Sequence, residues 1–189
     1  MSKSILISIK PEHALNILNG KKTLELRKSV PKDFVGWVYG YVTKGKPYLY
    51  KTPNYLISSN RQHDGMLNGT IPFRFWFDGY DIYVYDGFYL GGYFDDKVTL
   101  IHEDNYKLPL GNLCLTEEQI KDYGKGKDLY AWHIKKLEVF DKPMILSEFY
   151  KDYDTMDTDS NGKCIGWYEI GINPIKHHPK SWQYVWVKE

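Results

Sequence analysis

Two cysteines in 189 residues, Cys114 and Cys164, are too few for a disulfide framework, and they form no Cys-x-x-Cys pair. A structural disulfide is therefore not expected, and a reducing compartment fits. The apolar run Ile5-Leu6-Ile7-Ser8-Ile9 is too short for a secretory signal and is cut by Lys10-Pro11. No stretch approaches the roughly 20 apolar residues of a bilayer span, so a soluble, cytoplasmic protein with no membrane partner is the expectation. The chain also lacks a heptad run, an internal repeat and a low-complexity tract. Absent too are a Gly-rich phosphate loop, a dinucleotide-binding fingerprint, a Gly-x-Ser-x-Gly elbow and a His-Glu-x-x-His helix, so no cofactor and no metal are expected.

What the chain has in quantity is aromatic side chains. Its 17 tyrosines and 6 tryptophans favour strands and half-exposed binding surfaces over helices. The length suits one domain, taken as 1–189, with enough apolar residues for a core. The formal net charge of +1 hides an asymmetry. Residues 1–44 carry eight Lys and Arg against three acids, a local +5, and the remainder is −4. Such a basic segment points to an anion-facing surface, although a solvated face is the commoner origin of any charge run.

Local patterns predict the following elements. Ser4–Ile9 reads as a buried strand, and Pro11 begins a short helix that stops at Asn19-Gly20. Lys22 to Lys28 alternates strictly, which places Leu24 and Leu26 on one face and Glu25 and Arg27 on the other. Gly36–Thr43 is a strand. Residues 48–80 are irregular, with loops between aromatic patches, and 48–84 reads as an insertion. Ile82–Tyr85 and Phe88–Phe94 form a hairpin about Asp86-Gly87, and Val98–Ile101 continues the sheet. Thr116-x-x-Gln119 is a capping box, Ala131–Phe140 is a strand closed by Asp141-Lys142-Pro143, Leu146–Phe149 is a brief helical turn, 151–163 is a polar loop, and Trp182–Val187 is the last strand. The fold class is α+β, mainly β: a partly open β-barrel with short flanking helices.

Three constellations invite a chemical reading. In Lys21 to Lys28, a carboxylate is flanked by cations on one strand face beside a helix end, where a lysine amine or an arginine fork can hold a phosphate or a base edge. The ordinary alternative is a half-exposed strand whose charges are merely solvated. Trp132-His133 and Trp182-x-Tyr184 are core aromatics by default, or a wall on which a base stacks; alternation separates His133 from Trp132 and sets His133 nearer the cleft. Asp157-x-Asp159-x-Asn161-Gly162 begins like a calcium loop, but the twelfth position is Tyr168 and the glutamate is Glu169, so a surface loop is preferred. One cysteine and the adjacent His177-His178 make no tetrahedral metal site.

Residues Leu6-Ile7-Ser8-Ile9-Lys10-Pro11, Asn19-Gly20-Lys21-Lys22-Thr23-Leu24-Glu25-Leu26-Arg27-Lys28 and Thr43-Lys44-Gly45 resemble an ASCH domain of the PUA-like superfamily. The later blocks Tyr130–Ile134, Phe140–Pro143, Leu146–Phe149 and Pro179–Tyr184 resemble ASCH proteins of phages and prophages. The resemblance implies a PUA-like barrel with a cleft, and RNA or other nucleic acid as partner. Some compact ASCH proteins deacetylate acetylcytidine with a lysine in a Gly-x-Lys-Thr turn, a threonine two residues beyond it and a later glutamate. Lys22 matches that lysine, but Glu25 stands at the threonine nucleophile's position, which argues against the same reaction.

The functional expectation is a nucleic-acid-binding protein that takes single-stranded or modified bases. Lys10, Lys22, Arg27, Lys28 and Lys44 would hold phosphates, Glu25 would accept from a base amino group, and His133 and Trp182 would flank the cleft. One alternative is a hydrolase or nuclease using Lys22 and Glu25, which requires both to converge in a cleft. Another is a phage-encoded module that binds a host protein through an exposed patch around Trp76, Tyr80 and Tyr83.

Overall fold

The computed structural model describes residues 1–52, 56–83, 89–93, 110–154, 157–158, 160–161, 163–166 and 170–188. β1 (Ser2–Ile9) is buried on both faces from Ser4 onward, in keeping with its mostly apolar run, and it lies inside the larger sheet. Pro11 then opens α1 (Pro11–Leu18), where its missing N–H costs no helical bond, and Gly20, with φ of +69°, turns the chain out of the helix. β2 (Leu24–Arg27), β3 (Gly36–Val42), the hairpin β4 (Tyr48–Lys51) and β5 (Leu56–Ser59), β6 (Ile71–Phe77), β7 (Gly79–Tyr83) and β8 (Tyr89–Tyr93) follow. Next come α2 (Leu110–Leu113), α3 (Glu117–Gly124), β9 (Leu129–His133) and β10 (Lys135–Met144). After a 3-10 turn at Leu146–Glu148 stand β11 (Phe149–Asp154), β12 (Asp157–Thr158), β13 (Cys164–Gly166), β14 (Ile170–Pro174) and β15 (Trp182–Val187).

Seven strands form one sheet in the order β10-β6-β3-β1-β15-β11-β14, with β1 parallel to β3 and its other pairs antiparallel. A second sheet runs β2-β9-β7-β8. The chain passes between these two sheets four times, at β1–β2, β2–β3, β6–β7 and β9–β10, and the sheets do not close into a full barrel. The protein is mainly β with short flanking helices, as its composition and patterning lead one to expect. The core between the sheets comprises Ile5, Ile7 and Ile9 of β1, Val38 and Val42 of β3, Phe73, Phe75 and Phe77 of β6, Ala14 and Ile17 of α1, and Trp132 of β9.

Several local expectations need correction. The irregular reading of 48–80 is overturned where β6 sits inside the large sheet between β3 and β10 with Phe73, Phe75 and Phe77 fully buried. The single strand expected over Ala131–Phe140 is two strands in two sheets, and the second runs through Pro143 to Met144. Proline is tolerated there because β10 is an edge strand whose register slips between Val139 and Met144. Part of the expected loop at 151–163 is strand, since β11 pairs with both β14 and β15. The β7–β8 pairing agrees with the expected hairpin, whereas its Asp86-Gly87 turn, Val98–Ile101, and Asp159, Gly162, Tyr168 and Glu169 of the calcium-like motif lie outside the described residues.

Packing is close where β3 pairs with β6. Gly40 is paired with Phe73, and a Cβ added there would overlap the Phe73 ring, which is fully buried. Gly40→Ala is expected to lower the unfolding free energy by about 1–3 kcal/mol through overpacking, whereas Gly111→Ala, whose Cβ would meet open space, should cost nothing. Urea unfolding of the two variants beside the parent checks this, and a Gly40→Ala midpoint equal to the parent's would contradict it.

Candidate functional site

β2 is an edge strand, and a cavity of about 320 Å³ opens along it between α1 and α3. Its lining joins Ser8 and Lys10 at the end of β1, Glu12 and His13 on α1, Lys22, Glu25, Leu26 and Arg27 at β2, and Leu115, Gln119, Asp122 and Tyr123 at α3. The volume lies at the small end of the roughly 300–1,000 Å³ typical of ligand pockets.

The expected alternation of β2 holds for direction but not for exposure. Leu24 and Leu26 are buried as expected, yet they pack beneath α2 and α3 with Leu113, Ile120, Leu129 and Ala131 rather than in the main core. Glu25 and Arg27 point the other way and are buried as well, with side chains 6% and 9% exposed. A half-exposed strand face would leave these charges in water, but β1, α1 and the 177–181 loop cover them. Glu25 Oε1 is ion-paired with Arg27 Nη2 at 2.8 Å, and Lys22 Nζ lies 3.4 Å from Glu25 Oε2.

The two cations are anchored from opposite sides. Lys22, whose side chain is 1% exposed, donates to the Leu113 carbonyl at 2.6 Å, where the end of a helix leaves an acceptor unused. Its backbone is set by α1, because the Lys22 N–H donates to the Asn16 carbonyl, and Thr23 N–H donates to the Asn112 carbonyl just before that helix end. Arg27 Nη2 also donates to the Ser8 carbonyl at 2.7 Å, and Nη1 reaches Ser181 Oγ at 3.5 Å.

Burial by itself would raise the Glu25 pKa, but Arg27 and Lys22 beside it outweigh burial and hold it below its ordinary 4.5. Glu25 is thus a carboxylate at neutral pH. His13 shifts the other way to its usual partnered behaviour: burial lowers its pKa below 6.5, against the pull of Glu25, so the imidazole is neutral at pH 7. Three buried polar atoms here have no hydrogen-bond partner among the described residues: Glu25 Oε2, Arg27 Nε and His13 Nδ1. Buried polar atoms are rarely left so, and their gathering at one pocket marks it for a ligand.

The expected site residues divide between this pocket and elsewhere. Lys10, Lys22, Glu25 and Arg27 line it. Lys28 stands at its rim, with Nζ 4.9 Å from the ring centroid of Tyr123. Lys44 is exposed in the turn after β3 and does not line it. Trp182 packs edge-on against Trp132, 5.6 Å between centroids, and donates from Nε1 to Ser29 Oγ. His133 is opposite Leu24 in the β2–β9 register and so shares the leucine face, away from Glu25, where its nitrogens lie 3.1 Å from Asp78 Oδ1 and 3.3 Å from Asp81 Oδ1. It secures the chain's passage from β6 to β7 instead of lining the cleft. Trp132 is fully buried, the default for such a residue.

Sequence reasoning missed His13, Gln119, Asp122 and Tyr123. A signal did exist for the last three: positions 119, 122 and 123 share one face of a helix whose start the capping box marks, with Thr116 Oγ accepting from Gln119 N–H. Among the described residues no His, Cys, Asp and Glu group could hold a metal ion, and no helix is long and apolar enough to cross a membrane.

Comparison with known proteins gives limited likeness. No protein-family model and no curated protein sequence matches the chain. Among solved structures, ASCH from Zymomonas mobilis is 18% identical, with 76% of this chain and 73% of that chain covered and a TM-score of 0.46. Two single-residue variants of that protein give 18% and 17% identity, with 77% and 76% of this chain and 77% and 74% of theirs covered, and TM-scores of 0.46 and 0.45.

Two stability effects follow from these charges. Glu25→Ala leaves Lys22 and Arg27 buried without their carboxylate and is expected to cost about 3–5 kcal/mol, whereas Lys28→Ala at the exposed rim should stay within about 0.5 kcal/mol. Urea unfolding at pH 7 measures both, and equal losses would disprove the buried triad. His133 titrates with the opposite sign to Glu25. Burial lowers its pKa, but hydrogen bonds to Asp81 and Asp78 prevail and raise it above 6.5. Its contribution is therefore complete below pH 6.5 and lost as pH rises through the folded value. The stability difference between the parent and His133→Gln should shrink as the pH is raised from 6 to 9; a difference that grows would refute the assignment.

Proposed function

We propose that the chain binds single-stranded nucleic acid, RNA foremost, by admitting one unstacked base to the pocket at β2 while rim cations hold neighbouring phosphates. The observation that carries this reading is that Glu25, Arg27 and His13, each with a buried polar atom left without a hydrogen-bond partner among the described residues, line one small cavity together with Lys10 and Tyr123, with Lys28 beside the Tyr123 ring. A base offers both an edge of donors and acceptors for such atoms and a face for an aromatic ring, and its flanking phosphates suit lysines at the mouth. The local +5 of residues 1–44, which contribute every lysine and arginine lining the pocket, supports the same reading. So does the resemblance carried by the Gly20–Lys28 block.

A second reading, hydrolysis of a nucleoside or RNA, is favoured by one specific observation: Lys22 and Glu25 converge in the same pocket. In that reading Glu25 is a weak base, since its cations hold its pKa down, and the neutral His13 is the better proton acceptor. The host-protein reading calls for an exposed patch around Trp76, Tyr80 and Tyr83. Trp76 packs edge-on against Trp37 at 5.2 Å, Tyr80 against Tyr130 at 5.5 Å, and Tyr83 against the leucine cluster, and all three are half-buried.

Fluorescence anisotropy of labelled single-stranded RNA and DNA, titrated over a salt series, tests binding. Affinity should fall with salt, and Lys10→Ala and Lys28→Ala should each reduce the log-log slope by about 0.7 without changing which sequence is preferred. Absence of binding to either polymer at low salt would remove the proposal. Chromatography of the same RNA after incubation reports on hydrolysis, and cleavage abolished by His13→Ala would establish the second reading.

A further inference from the structure

The polar groups of the pocket floor have an order that a ligand must match. Glu25 lies between Lys22 on its Oε2 side and Arg27 on its Oε1 side. Ionised, the carboxylate is a pure acceptor; the ammonium and guanidinium are pure donors. Along this edge the protein therefore presents donor, acceptor, donor. Much of that capacity is unused. Glu25 Oε2 and Arg27 Nε have no hydrogen-bond partner among the described residues, although both side chains are more than nine-tenths buried. Lys22 Nζ donates one of its three protons to the Leu113 carbonyl and is ion-paired with Glu25 Oε2 at 3.4 Å.

The complementary ligand edge is acceptor, donor, acceptor: an N–H between two carbonyl oxygens. The imide edge of uracil or thymine, O2, N3–H and O4, has this order. Cytosine and guanine each place an amino donor where one of the cations stands, and adenine offers one acceptor beside its amino group. Charge acts in the same direction, because two buried cations around one carboxylate leave a net positive charge that favours an edge with two carbonyl oxygens over one with an amino group.

We propose that the pocket selects a uracil-type base, with N3–H donating to the Glu25 carboxylate and the two flanking carbonyls accepting from the Lys22 and Arg27 side. This rests on the reading of the pocket as a base-binding site. It also replaces the amino group expected from sequence as Glu25's donor with an imide N–H.

The test compares labelled oligo(U), oligo(dT), oligo(C) and oligo(A) of equal length on the unaltered protein, together with oligo(U) carrying N3-methyluridine. Oligo(U) or oligo(dT) is expected to bind at least tenfold more tightly than oligo(C) or oligo(A), and N3-methylation should abolish that advantage, since a buried acceptor left unpaired is penalised. Glu25→Gln, which adds a donor to the acceptor, should flatten the preference for U over C. If that variant fails to fold, the methylated ligand still decides. Equal binding of all four polymers, or tighter binding of oligo(C), would overturn the selectivity while leaving the nucleic-acid reading standing. No binding of any polymer would overturn both.

Discussion

Glu25 is buried between Lys22 and Arg27, and most of what surrounds the pocket is arranged to make that burial tolerable. Removing three charges from water costs several kcal/mol for each ion, and their attraction offsets this only where geometry is good and the remaining hydrogen-bonding groups find partners. Here the partners come from every neighbouring element. The Leu113 carbonyl at the end of α2 takes Lys22, the Ser8 carbonyl at the end of β1 takes Arg27, and Ser181 before β15 stands beside the same guanidinium. The triad thus ties the edge of the small sheet to a helix, to the large sheet and to the C-terminal loop.

Two buried polar clusters show how differently such groups are used. His133 lies between Asp78 and Asp81 with a carboxylate oxygen near each ring nitrogen, and its shifted pKa is explained by the fold itself. The β2 pocket is the reverse case. Its carboxylate, guanidinium and imidazole each retain an atom that the described residues leave unsatisfied. A perturbed titration alone would not separate the two clusters, because structural networks shift pKa values too. Unsatisfied atoms on residues that line a cavity do separate them.

Ser8 illustrates how the pocket's edge is held. Its hydroxyl donates to the Pro179 carbonyl at 2.6 Å, and His178 Nδ1 lies 3.0 Å from Ser8 Oγ and 3.1 Å from the Pro179 carbonyl, with its ring stacked on Tyr41 at 4.6 Å. With its proton already directed to a backbone carbonyl, this hydroxyl latches the loop to β1 and leaves the Ser8 carbonyl fixed for Arg27.

By itself the sequence determined the local pieces: the buried run of β1, the Pro11 start and Gly20 end of α1, the alternation of β2, and the capping box at Thr116. Each depends on contacts within a few residues, through helix-end hydrogen bonds or the two-residue period of a strand. It also singled out Lys22, Glu25 and Arg27 by their crowding on one short segment. Tertiary structure alone decided that these charges are buried, because exposure of a strand face depends on what packs over it, and α1, β1 and Ser181 are brought there by sheet topology. The same holds for the division of Leu129–Met144 between two sheets, for β6 inside the large sheet, and for His133 on the leucine face. Their partners lie far along the chain, where no local period reports them, and so the arrival of His13 and the 119–123 helix face beside Glu25 could be seen only in the folded protein.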